Sequence, residues 1–70
     1  MNIGKRIKML RVAKEMSLQV LADITGMTVT KIGRMERGEV SHRIGDLEQL
    51  AGPLGVEVSD LVAKDFNVEA

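Results

Sequence analysis

The sequence predicts an all-α domain of five short helices, and three observations carry that prediction. Apolar residues recur at helical spacing in one segment after another. Asn, Ser or Thr stands before several of these segments and glycine after them, the usual start and stop residues of helices. The apolar palette is Leu, Ile, Val, Ala and five Met with Phe66 as the only aromatic, which suits small helices better than the aromatic and β-branched faces of a sandwich or barrel.

Asn2 is placed to cap a first helix over about 3 to 14, in which Ile3, Ile7, Leu10 and Ala13 fall on one stripe. Ser17 caps a second helix from Leu18 to Thr25, with Leu18, Leu21, Ala22 and Ile24 expected inward and Gln19 and Asp23 outward. Gly26 ends it in the left-handed conformation that helix C-termini favour. Thr28 caps a third helix over 29–37, reached after only Gly26 and Met27, so the two helices must cross steeply in a helix-turn-helix. Gly38 closes the third helix, and a polar loop over 39–43 follows. Ile44, Leu47, Leu50, Ala51 and Leu54 set the fourth helix, which is expected to stop or kink near Gly52 because Pro53 removes a hydrogen bond and disfavours helical angles in the residue before it. A short fifth helix is expected around Val58 to Val62. Residues 1–62 then form the domain and 63–70 a tail without a clear period, whose Phe66 and Val68 either fold back on the core or cross to a second copy.

Seventy residues lie near the lower limit for a core held by packing alone. The absence of cysteine removes disulfides and thiolate metal sites and fits a reducing cytoplasm. No apolar run approaches the roughly 20 residues of a membrane span, and nothing resembles a signal peptide. His42 is the only histidine, so no two-histidine metal site is possible. With no cysteine, no Gly-rich phosphate loop and scattered carboxylates, there is no catalytic constellation, cofactor site or small-molecule site to read.

The net charge is zero, but it is unevenly placed. Residues 1–43 hold nine basic and four acidic residues, a net +5, and residues 44–70 hold one basic and six acidic, a net −5. Such a chain can meet an anionic surface in one orientation. On a helical wheel of about 100° per residue, Ile32 and Met35 mark the core side of the third helix, and Thr30, Gly33, Arg34 and Arg37 share the face opposite. Charged outer faces are ordinarily just solvated. This one, with two guanidiniums, a small hydroxyl and a residue lacking a side chain, also suits the major groove of duplex DNA. Gly33 lowers helix stability by about 1 kcal/mol relative to alanine, which close approach to a base or phosphate would justify.

From Ile3 to Leu61 the chain resembles the lambda-repressor/Cro-like, or Xre-like, helix-turn-helix domains. The stretches that carry the resemblance are "IGKRIKMLR" (3–11), "SLQVLADITGMT" (17–28), "KIGRMERG" (31–38) and "PLGVEVSDL" (53–61). Each is weak alone, and their order and spacing together are specific. The resemblance implies a compact five-helix domain that binds a roughly palindromic double-stranded operator as a homodimer, with the third helix in the major groove. It puts base contacts at Val29, Thr30, Gly33 and Arg34. Backbone contacts fall on Ser17, Gln19, Thr28, Lys31, Arg37, His42 and Arg43. It also implies a structural ion pair between Arg11 and Glu36, supporting the reading helix.

Two positions depart from the family pattern. Leu18 stands where glutamine usually opens the second helix, so a phosphate there is left to backbone N–H groups, with Gln19 beside it. Val29 stands where a long polar residue is common, and offers a methyl contact to thymine or packing at the core's edge. The expected function is a DNA-binding transcriptional regulator, a repressor acting by occupancy. The competing expectation is an antitoxin-like protein-binding module, which Leu18 and Val29 favour and the basic front does not.

Overall fold

The computed structural model describes residues 2–63, and they form five helices: α1 (Ile3–Ala13), α2 (Leu18–Thr25), α3 (Val29–Arg37), α4 (Ile44–Leu54) and α5 (Val58–Val62). Phe66 and Val68, with the rest of 64–70, lie outside the described residues.

The helix starts follow from side-chain caps. Asn2 Oδ1 accepts from the Lys5 N–H at 2.8 Å, Ser17 Oγ from Val20 at 3.0 Å and Thr28 Oγ1 from Lys31 at 3.0 Å, each satisfying an amide that the helix itself cannot. The stops are left-handed turns. Gly38 and Gly55 have φ of 74° and 77°, and each closes a paired motif: Glu39 N–H to the Arg34 carbonyl and Gly38 N–H to Met35, then Val56 to Ala51 and Gly55 to Gly52. Gly26 uses a single bond to the Ala22 carbonyl at 2.8 Å. The turn after α1 has the same paired geometry, with Met16 bonding Arg11 and Glu15 bonding Val12, but its left-handed residue is Glu15 at φ 58°.

α4 does not stop at Gly52. It runs through Pro53 to Leu54, and the reason is local. Gly52 has no Cβ to clash with the proline ring, the ring's φ is itself helical, and Pro53 sits in the last turn. The one amide it removes would have bonded Gln49, whose exposed position lets water serve the carbonyl.

The core is drawn from all five helices. Ile7, Leu21, Ile32, Met35, Leu47, Leu50, Leu54 and Leu61 are essentially inaccessible, with Ala22 and Ala51 beside them. Burying a side chain of this size stabilises by about 1.5 to 3 kcal/mol. Leu18, Met27 and Val29 pack partly against this cluster, so the two departures from the family pattern serve the core margin. Three residues expected inward face solvent: Ala13, Ile24 and Ile44. The periodic stripe of each of these helices is narrower than its apolar residues suggest, because neighbouring helices cover only its centre.

α1 packs on α3 across Gly4. A Cβ there would stand 2.4 Å from the Met35 carbonyl oxygen and 2.6 Å from that of Glu36, so the two backbones meet at a separation only glycine allows. α1 also buries two arginines. Arg6 donates from Nη1 to the Leu61 carbonyl at 2.8 Å, placing a cation at the C-terminal end of α5 where the helix dipole is negative. Asp60 Oδ2 in turn accepts from the Glu57 N–H at 2.9 Å at the start of α5.

Candidate nucleic-acid interface

The outer face of α3 borders an open groove of about 730 Å³ whose other wall is the loop over 39–43 and the start of α4. Thr28, Thr30, Lys31, Arg34 and Arg43 line it, with Glu39 and Asp46 among them. Ile32 and Met35 bury the opposite side of the helix completely. This division of faces, fixed by the core, is what holds Thr30 and Arg34 out toward solvent.

Two cations of this region are paired internally. Lys31 Nζ meets Asp46 Oδ1 at 3.0 Å. Arg37 donates from Nε to Glu39 Oε2 at 2.8 Å and from Nη2 to Oε1 at 3.3 Å. The hydrogen bond from Arg37 holds the Glu39 carboxyl below its ordinary pKa, and the nearby charge of Arg34 acts in the same direction. The same bond raises the Arg37 guanidinium above its ordinary value. Among the described residues, the Arg34 and Arg43 side chains have no hydrogen-bond or ion-pair partner, and both are exposed.

Gly33 lies on the outer side of α3 as the wheel places it, but the Arg37 side chain covers it there. It is buried, and the space a Cβ would fill lies 3.2 Å from Arg37 Nη1. Arg37 folds back one helical turn across the bare backbone at Gly33, an approach that the helical wheel does not report.

The remaining expected residues separate. Ser17 and Thr28 use their oxygens as cap acceptors and keep an O–H to donate. The Gln19 amide donates to Asp23 Oδ1 at 2.8 Å, one turn along exposed α2. Val29 is half-buried against the core. His42 does not join the α3 face. It is half-buried in a separate cleft with Asn2, Ile3, Gly38 and Val62. Arg11 and Glu36 form a pair at the α1–α3 contact, both buried. The residues that periodicity did not single out are Asp46 and Glu39, the carboxylates holding Lys31 and Arg37. Their signal in the sequence was only position: Glu39 directly follows the glycine that closes α3, and Asp46 is the acidic residue in the first turn of α4.

Among the described residues no helix is long and apolar enough to cross a membrane, and no cluster of His, Asp or Glu is placed to hold a metal ion.

Comparison with known proteins places these features in context. A family profile described as a helix-turn-helix domain matches residues 2–63. The chain is 29% identical over 65 residues to the immunity repressor protein of Bacillus phage phi105, covering 93% of this chain and 45% of the repressor. It therefore spans less than half the length of that relative. Among solved structures, the SinR protein/SinI protein complex superposes with a TM-score of 0.87 at 30% identity, over 97% of this chain and 67% of the other. SinR, the master regulator for biofilm formation, solved in complex with DNA, superposes at 0.78 with 35% identity, over 84% and 95% of the two chains.

Proposed function

The chain belongs to the helix-turn-helix domain family, of the Xre or lambda-repressor type, and from that premise we propose that it is a sequence-specific double-stranded-DNA-binding transcriptional regulator that represses by occupying its operator. The observation that carries this reading is the exposed face of α3, where Thr30 and Arg34 border an open groove with Thr28, Lys31 and Arg43 around them. A guanidinium held out on a helix can bind the two acceptors of guanine together, and threonine can meet a base edge or a thymine methyl. Thr28, Lys31, Arg43 and the α2 start at Ser17 are the backbone contacts of this reading, since phosphates position the helix and bases specify. The naming of an immunity repressor and of a DNA-bound regulator among its relatives supports the same reading.

The protein acts as a homodimer on a roughly palindromic site, with two copies of α3 about 34 Å apart in successive major grooves. Val29 stays at the core margin in this reading, and Gly33 gives Arg37 its seat across the helix backbone. The test is selection of bound duplexes from a random pool, followed by titration of the selected site against salt. Enrichment of a two-fold symmetric sequence, with affinity falling steeply as salt rises, is the expected result. An unenriched pool would overturn sequence-specific binding, and retention of a protein partner without salt-sensitive duplex binding would establish an interaction module instead.

A further inference from the structure

We infer that Glu39 tempers DNA affinity: it holds Arg37 folded back on α3 as an internal substitute for a phosphate, and so weakens the phosphate-driven part of binding to every duplex. The inference rests on the DNA-binding reading of the same face.

Three features make the arrangement. Gly33 leaves α3 without a side chain where the Arg37 guanidinium lies, with Nη1 3.2 Å from the place a Cβ would occupy. Gly38, left-handed at φ 74°, turns the chain so that the Glu39 N–H bonds the Arg34 carbonyl at 2.9 Å. That turn returns Glu39 alongside α3, where both of its carboxylate oxygens accept from Arg37, at 2.8 and 3.3 Å. The paired fork is the geometry with which arginine also binds a phosphate. The carboxylate fills the fork made by Nε and Nη2, so a phosphate can take that fork only by displacing it and otherwise meets a cation whose charge Glu39 already offsets.

Both side chains are more than half exposed, so water and DNA reach the pair freely and the exchange needs no unfolding. Nonspecific duplex binding comes almost wholly from phosphate contacts, and a contact that begins by breaking an internal pair adds little to it. Base contacts by Arg34, which has no such partner among the described residues, keep their full effect. The device thus lowers affinity for operator and bulk DNA by the same factor while leaving base readout, and so the ratio between the two, intact.

The experiment compares wild type, Glu39→Gln, Arg37→Ala and the double variant on a selected duplex and on a mixed-sequence duplex, by fluorescence anisotropy at fixed salt. Thermal unfolding is followed in parallel. Glu39→Gln is expected to bind both duplexes several-fold more tightly, with the ratio between them unchanged. Arg37→Ala alone should change mixed-sequence binding little, and the double variant should lose the gain of Glu39→Gln. A gain that persists in the double variant would overturn the proposal, because it would then reflect net charge and not release of Arg37. Equal binding by wild type and Glu39→Gln would overturn it while leaving the DNA-binding reading in place. No duplex binding by any of the four folded proteins would overturn both.

Discussion

Arg11 of α1 and Glu36 of α3 meet in a two-pronged ion pair, Nε to Oε2 at 2.7 Å and Nη2 to Oε1 at 3.1 Å. Arg11 also donates from Nη1 to the Met16 carbonyl at 2.8 Å, so one guanidinium ties α3 to α1 and to the turn before α2. The bond to Glu36 raises the Arg11 pKa above its ordinary value, with burial opposing.

Removing one partner leaves the other charge buried, and breaking such a pair typically costs about 3 to 5 kcal/mol. Glu36→Ala is expected to lower unfolding free energy by about 3 kcal/mol, at the lower end of that range because the pair lies at the core margin. The double replacement Arg11→Met with Glu36→Leu should recover most of the loss, as measured by urea unfolding. If the single and double variants were equally unstable, the pair would not be the source of the effect.

Gly4 and Gly33 make a contrast that sequence reading does not distinguish. Gly4→Ala drives a methyl group into two backbone carbonyls of α3. The helices must separate, at a cost of about 1 to 3 kcal/mol or more. Gly33→Ala meets only the far end of the Arg37 side chain at 3.2 Å, which can move. It should gain up to about 1 kcal/mol of helix stability, a rise of several degrees in melting temperature for a domain of this size. Opposite signs in the two melting curves are the expected outcome, and a loss in both would show that the Arg37 placement matters more to stability than helix propensity.

Much of the fold was legible because it depends on local chemistry. Ser17, Thr28, Gly26 and Gly38 marked the boundaries of α2 and α3, and the short connection between them demanded the helix-turn-helix. The rest required distances between helices. The apolar run predicts Ile24 and Ile44 as core, yet no neighbour covers them. Arg6 looks like a surface residue until α5 presents the Leu61 carbonyl to it. On the outer face of α3, the wheel found Thr30 and Arg34 but set Gly33 and Arg37 beside them as equals. Angle about an axis cannot show that one side chain lies across the other, or that Glu39 turns back to hold it.

Glu15 is the one described non-glycine residue with positive φ, and it takes the place that glycine holds after α2, α3 and α4. Left-handed backbone costs an L-residue about 1 to 2 kcal/mol. Glu15→Gly relieves that strain, and the greater unfolded-state freedom of glycine offsets part of the gain. A net stabilisation of about 0.5 to 1 kcal/mol is expected in chemical unfolding. Glu15→Ala keeps the Cβ and should give no comparable gain; if it did, the charge at position 15 would be responsible and not the backbone.

The depressed pKa of Glu39 carries a definite sign. A carboxyl whose folded pKa lies below its unfolded value contributes stability that is present above the ordinary carboxylate range and lost as pH falls through the folded value. The pair is exposed, so its effect on global stability is small. The carboxyl titration itself is the sensitive measure. Followed by NMR, Glu39 should titrate below the ordinary carboxylate range in the wild type and move upward in Arg37→Gln. An unchanged titration in that variant would mean that Arg37 does not hold Glu39 in solution.

Arg34 is the residue on which the proposed sequence readout turns. Lys31 and Arg37 are engaged by Asp46 and Glu39, and Arg11 by Glu36. Arg34 stands exposed on the same helix face as Thr30 with no partner among the described residues, so it can meet a base edge without first breaking an internal pair. A bidentate base contact discriminates by about 1 to 3 kcal/mol. Arg34→Ala should therefore weaken binding to the selected duplex by about 1 to 3 kcal/mol for each half-site and relax preference at one base pair of each, with little change on mixed-sequence DNA. Arg43→Ala offers the comparison, since taking a cation away from a phosphate weakens binding to all duplexes alike and reduces the salt slope by about one per subunit. Anisotropy titrations over a set of single-base-pair variants distinguish the two patterns. Uniform weakening by Arg34→Ala across the whole set would make Arg34 a backbone contact and move readout to Thr30 and the α3 backbone.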